Sequence, residues 1–198
     1  WTDGETTVPN TQHLVIGDIA AGLIVLGLTG PLLQPLLAIR AIDGLRVLTH
    51  PLVALPLWVA SLYIWHIPAL YEATLTSEAL HALQHSCFIG FGILMWMPVF
   101  GPLPKPAWFG LGAKLVYVLG VRFAGTILGN VFMWSNAVFY SDYAAGEADW
   151  NIEPLTDQGV AGVIMMVEGG LVTLGTLAWL FLLWAKQGMK PLMVRVGL

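Results

Sequence analysis

His81-Ala82-Leu83-Gln84-His85 places two imidazoles four residues apart. On an α-helix, residues i and i+4 share a face, with Cβ atoms about 6 Å apart, so two ring nitrogens can grip a single metal ion. The same spacing also suits two interfacial histidines that hydrogen-bond to nearby carbonyls. The pair alone does not choose between these readings. Imidazole suits copper, zinc and iron, and thiolate or thioether ligands favour Cu(I). Cys87 lies two residues past His85, so it points to another side of the helix and reads as a packing residue. Met133, Met165 and Met166 could add thioethers, although methionine in an apolar helix commonly fills space.

What must position these histidines is a set of membrane helices. The chain is 57% hydrophobic and 10% charged, with nine tryptophans and a mean hydropathy of +0.76. A soluble domain of this length has no use for so much apolar surface. Windows of about 20 apolar residues mark bilayer-spanning helices. Five are legible, at approximately 14–39, 50–71, 79–100, 112–136 and 158–185. The expected fold is an all-α, polytopic membrane helix bundle of five transmembrane helices, forming one domain over 1–198. Pro31, Pro35, Pro51, Pro56 and Pro68 are expected to kink or bound the first two helices.

Charge orients the bundle. Arg40, Arg46, Lys105, Lys114, Lys186, Lys190 and Arg195 flank the apolar runs on one side. The amino-terminal segment, the link 72–78 and the loop 137–157 hold no Lys or Arg and carry the acids, from Asp3 and Glu5 to Glu153 and Asp157. Cytoplasmic loops collect Lys and Arg. The amino terminus is therefore expected outside and the carboxy terminus in the cytoplasm. On that topology His13, His66, His81 and His85 fall in one outer layer, with Asp18 just over a turn below His13. His50 alone lies at the cytoplasmic side.

Two ionisable residues are expected deep in the bundle, Arg122 in the fourth helix and Glu168 in the fifth. Intramembrane charges usually face the interior and pair, so these two read as an intramembrane ion pair. The few basic residues act as topology signals, which argues against nucleic-acid binding. One cysteine excludes an internal disulfide, and no catalytic triad, phosphate loop or carboxylate dyad is present. No secretory leader is visible, and a start at Trp1 rather than Met leaves room for upstream spans.

Leu48-Thr49-His50-Pro51, Trp65-His66-Ile67-Pro68-Ala69-Leu70-Tyr71, His81-Ala82-Leu83-Gln84-His85, Met95-Trp96-Met97-Pro98 and Asp157-Gln158-Gly159 together resemble the motif series of the CtaG family of cytochrome c oxidase assembly factors, over about residues 9 to 185. The resemblance implies a protein of the bacterial cytoplasmic (inner) membrane that helps deliver copper to a haem–copper oxidase, and it favours copper over zinc. Two positions depart from the family pattern. Pro9 stands where the first of a histidine pair would precede His13, and Met166 stands where tryptophan is common.

The leading reading is a copper-binding assembly factor, not an enzyme, handling copper at the outer face. His81 and His85 would be the core ligands, with His66 and His13 completing the site. Asp157 or Gln158 would orient an imidazole. Its partners would be membrane lipids and an oxidase subunit or larger membrane complex. A second reading is an accessory subunit of a respiratory or photosynthetic complex, with no metal of its own. A third is a haem protein in which His66 faces His81 or His85 across one iron.

Overall fold

The computed structural model describes residues 12–37, 45–140 and 152–196. Among them every regular element is helical. Helix α1 (Gln12–Gly27) contains a π-helical stretch, Val15–Ala20. Then come α2 (Gly30–Leu37), a 3₁₀ turn (Leu45–Thr49), α3 (Pro51–Trp65) and α4 (Pro68–Thr76). Helices α5 (Glu78–Phe100), α6 (Leu111–Trp134) and α7 (Pro154–Val196) complete the chain.

Three of these helices are long and apolar enough to cross a membrane: α5, α6, and α7 over Pro154–Lys186. A fourth span arises if α3 and α4, bent by 69° at their junction, count as one. The expected run 14–39 is instead divided, because Leu28 is extended (φ −74°, ψ 120°) and ends α1. The expected run 50–71 breaks at His66 and Ile67, where Ile67 is extended ahead of Pro68. Proline lacks an N–H and drives the preceding residue out of the helical region. The outer surface is apolar: Val116, Phe123, Leu171 and Leu174 are each more than 60% exposed. In water such a surface would be a liability, while against lipid it is the expected exterior.

Local signals explain where the helices start and stop. Pro51 sits in the first turn of α3, and the His50 ring accepts from the Leu52 N–H (3.3 Å). The Ser77 hydroxyl accepts from the Leu80 N–H at the start of α5 (3.4 Å). At the far end of α5, Lys105 Nζ donates to the Gly101 carbonyl (2.7 Å) and Lys114 Nζ to the Val99 carbonyl (2.9 Å). Cations there satisfy orphan carbonyls and complement the helix dipole.

Two crossings set the architecture. Helix α1 lies on α5 so closely that a Cβ on Gly92 would collide with the Gly17 carbonyl and stand 2.8 Å from the Ala21 Cβ. At the end of the π stretch the Asp18 carbonyl accepts from the Ala21 N–H and also takes a hydrogen bond from Trp96 Nε1 (3.0 Å). Helices α6 and α7 make the most extensive contact of the fold, crossing at Gly129 and Gly162. A Cβ on Gly162 would lie 2.6 Å from the Gly129 oxygen. Small residues permit such approach where lipid provides no hydrophobic drive. The core between the crossings contains Trp58, Met95, Trp96, Tyr117, Val118 and Leu180. Tyr117 donates to the Met95 carbonyl (2.9 Å) and Tyr63 to the Ala124 carbonyl (3.0 Å), tying α6 to α5 and α3.

Candidate metal centre

The close α1–α5 crossing carries the first turn of α1 against the first turns of α5. It brings His13 to His81 and His85. One ligand atom from each lies within 4.8 Å of the other two. The His81 and His85 Nε2 atoms are 3.0 Å apart, close enough for one neutral ring to donate to the other. The His13 ring stands nearly perpendicular to both, its centroid 5.1 Å from that of His85 and 6.4 Å from that of His81. His13 is buried, and the α5 pair is half-buried. His13 Nδ1 is enclosed with no hydrogen-bond partner.

This donor set fits a soft or borderline cation. Three neutral imidazoles leave at least one position open for exchange. Nitrogens at about 2.1 Å around a tetrahedral ion stand about 3.4 Å apart. The α5 pair, at 3.0 Å, is about 0.4 Å closer than that, and the His13 nitrogen lies within 4.8 Å of both, so a side-chain rotation is needed to complete the site. Such a rotation would also give the orphaned Nδ1 edge of the ring a partner.

His66 does not join this group. It stands at the α3–α4 break, and its Nδ1–H donates to the Leu62 carbonyl (2.6 Å). That bond turns the ring back along its own helix and leaves Nε2 as the acceptor. His66 does line a cavity with His13, Asp18, Phe88 and Met165. The expected four-histidine layer is therefore a three-histidine group with His66 set back from it.

One of the two expected supporting residues, Gln158, is engaged elsewhere. The Gln158 carbonyl accepts from the Phe139 N–H (2.8 Å), and its amide donates to the Ala137 and Phe132 carbonyls (3.2 and 3.5 Å). Gln158 thus secures the turn after α6 rather than an imidazole. Asp157 is buried beside it in the first turn of α7. Tyr140, carried by the same turn, donates to the His66 carbonyl (3.0 Å) and so fixes the α3–α4 break.

Arg122 and Glu168 do not form the expected direct ion pair. Both Glu168 carboxylate oxygens are buried without a hydrogen-bond partner. Arg122 Nη1 lies against Gly169, 3.1 Å from where a Cβ would stand. The guanidinium reaches the α7 backbone one residue beyond the carboxylate. The two side chains share a cavity with Asp18.

Sequence reasoning gave Gln84 no role, yet it lies between the two α5 histidines and is fully buried, with both amide atoms unpartnered. A glutamine inside an apolar window carries no positional signal beyond its own polarity. Cys87 is half-buried outside the histidine group. Met166 Sδ accepts from Asn130 Nδ2 (3.4 Å), whereas Met165 lines the cavity shared by His13 and His66.

A family model described as cytochrome c oxidase caa3 assembly factor (Caa3_CtaG) matches residues 4–187. Comparison with curated proteins and with solved structures gives no match.

Proposed function

The chain belongs to the family of cytochrome c oxidase caa3 assembly factors, and on that premise we propose that it carries copper to a haem–copper oxidase, with His13, His81 and His85 holding the ion. The observation that carries the reading is the meeting of three imidazoles from two helices, one of them with a buried, unpartnered ring nitrogen. Copper is cargo in this scheme, not a catalytic cofactor, and the protein is not an enzyme. Cu(I) accepts three nitrogen donors, and an open position lets a thiol or imidazole of a partner take over the ion. Met165 supplies a soft donor in the adjoining cavity.

The setting proposed is a bacterial cytoplasmic membrane, with the histidine end facing outward. The supporting observation is that α5 carries the histidines at one end and the Lys105 and Lys114 caps at the other. At about 1.5 Å per residue its length matches a bilayer core, and the basic end belongs in the cytoplasm.

The test is complementation. In a host lacking the gene, the wild-type chain should restore the copper content and activity of the purified oxidase. A His13→Ala/His81→Ala/His85→Ala variant, present in membranes at wild-type level, should leave the oxidase copper-poor. Full restoration by that variant would instead support a metal-free accessory subunit. The hydrogen bonds His81–His85 and His66–Leu62 favour that second reading, because they satisfy ring nitrogens without an ion.

A further inference from the structure

A second polar site lies deeper than the histidines. Asp18 from α1, Arg122 from α6 and Glu168 from α7 line one cavity of about 40 Å³, walled otherwise by residues that include Trp58, Trp96 and Met165. That volume holds a small number of waters, at roughly 15 Å³ each by this measure. Both Glu168 oxygens are buried and lack a protein partner. Arg122 stands off against Gly169. Asp18, Arg122 and Glu168 are the ionisable side chains that line the cavity.

Charge balance then decides the state of the site. A guanidinium stays protonated in proteins. Two carboxylates and one guanidinium leave a net charge of minus one in surroundings where an uncompensated charge is costly. One proton restores neutrality. We propose that Asp18, Glu168 and Arg122 form an intramembrane proton-binding site, in which the two carboxyls hold one proton between them and enclosed water supplies the hydrogen bonds that Glu168 lacks. The proton is taken up from water by a carboxylate, and nothing is oxidised or reduced. Asp18 also lines the adjoining cavity with His13 and His66, so the proton site is one cavity removed from the histidine group. The proposal stands whether or not those histidines hold copper.

Infrared spectroscopy of the metal-free full chain in lipid nanodiscs, in H₂O and D₂O at neutral pH, tests this. The wild-type protein should show the C=O stretch of one buried protonated carboxyl. Asp18→Asn and Glu168→Gln should each abolish it, because the carboxylate that remains balances Arg122. Arg122→Gln should double it, because both carboxyls must then be neutral. Circular dichroism establishes that each variant is folded. A folded wild-type protein with no such band overturns the proposal, as does a band unchanged in both single-carboxyl variants or unchanged by Arg122→Gln.

Discussion

Gly92→Ala is expected to weaken metal binding from a distance. Gly92 lies seven residues beyond His85 on α5, about 10 Å along the axis, and touches none of the histidines. An added methyl would collide with the Gly17 carbonyl and stand 2.8 Å from the Ala21 Cβ. Carbon atoms prefer about 3.5–4.0 Å, so α1 must move off α5 by roughly 1 Å. Both obstacles sit on the α1 backbone or at Cβ, so no rotamer change relieves them. Overpacking of this kind costs about 1–3 kcal/mol. The same shift carries His13 away from His81 and His85. Metal–ligand distances tolerate only about ±0.2 Å, and loss of supporting geometry typically lowers metal affinity about 10–100-fold. Gly90→Ala is the control, because a Cβ there meets nothing within 4 Å and gains the same helix propensity. Thermal unfolding in detergent and Cu(I) competition titrations should separate the two variants on both measures. Equal stability and equal affinity would refute the idea that the α1–α5 crossing positions the site.

Other consequences follow from single contacts. Gln158→Ala should lower stability by about 1–3 kcal/mol in a denaturant titration, because it strands the half-buried Phe139 N–H, the Ala137 carbonyl of the turn after α6 and the Phe132 carbonyl in the last turn of α6. In a Cys87→Ala background, a cysteine at Ala137 should react with an impermeant thiol reagent added to intact cells, and one at Ala107 should react only after permeabilisation. The reverse pattern would invert the proposed orientation. Tyr63→Phe should cost about 1 kcal/mol in the same denaturant titration, since it removes one hydrogen bond, to the Ala124 carbonyl, and leaves the ring in place.

Helices α5, α6 and α7 were legible because each is a continuous apolar run with few charges inside. The His81–His85 pair was legible for a related reason, since helical periodicity alone places both rings on one face. The divided first and second runs were not. A hydropathy window counts apolar residues, and Leu28, His66 and Ile67 break the backbone without changing that count by much. The break also explains His66: its depth along the chain could be read, but the turn that sends its Nδ1–H to Leu62 could not. The geometry of Arg122 and Glu168, which share a cavity without direct contact, was hidden for the same reason. Spacing gives depth, whereas the rotation of α6 against α7 at Gly129 and Gly162 decides that the guanidinium meets the Gly169 backbone and the carboxylate turns to the cavity with Asp18. Depth at the outer end of the last helix made Asp157 or Gln158 a candidate to orient an imidazole; packing gives Gln158 the neighbouring turn instead.

The proposed copper handling depends most directly on whether three imidazoles from α1 and α5 take one copper ion. X-ray absorption at the copper edge, on the full chain loaded with one equivalent of Cu(I) in the presence of a competing chelator, measures this. Retained copper with nitrogen neighbours at about 2 Å is expected, as is loss of that copper in a folded His81→Ala/His85→Ala variant. A wild-type protein that surrenders all its copper to the chelator, or a double variant that keeps the wild-type spectrum, would contradict it.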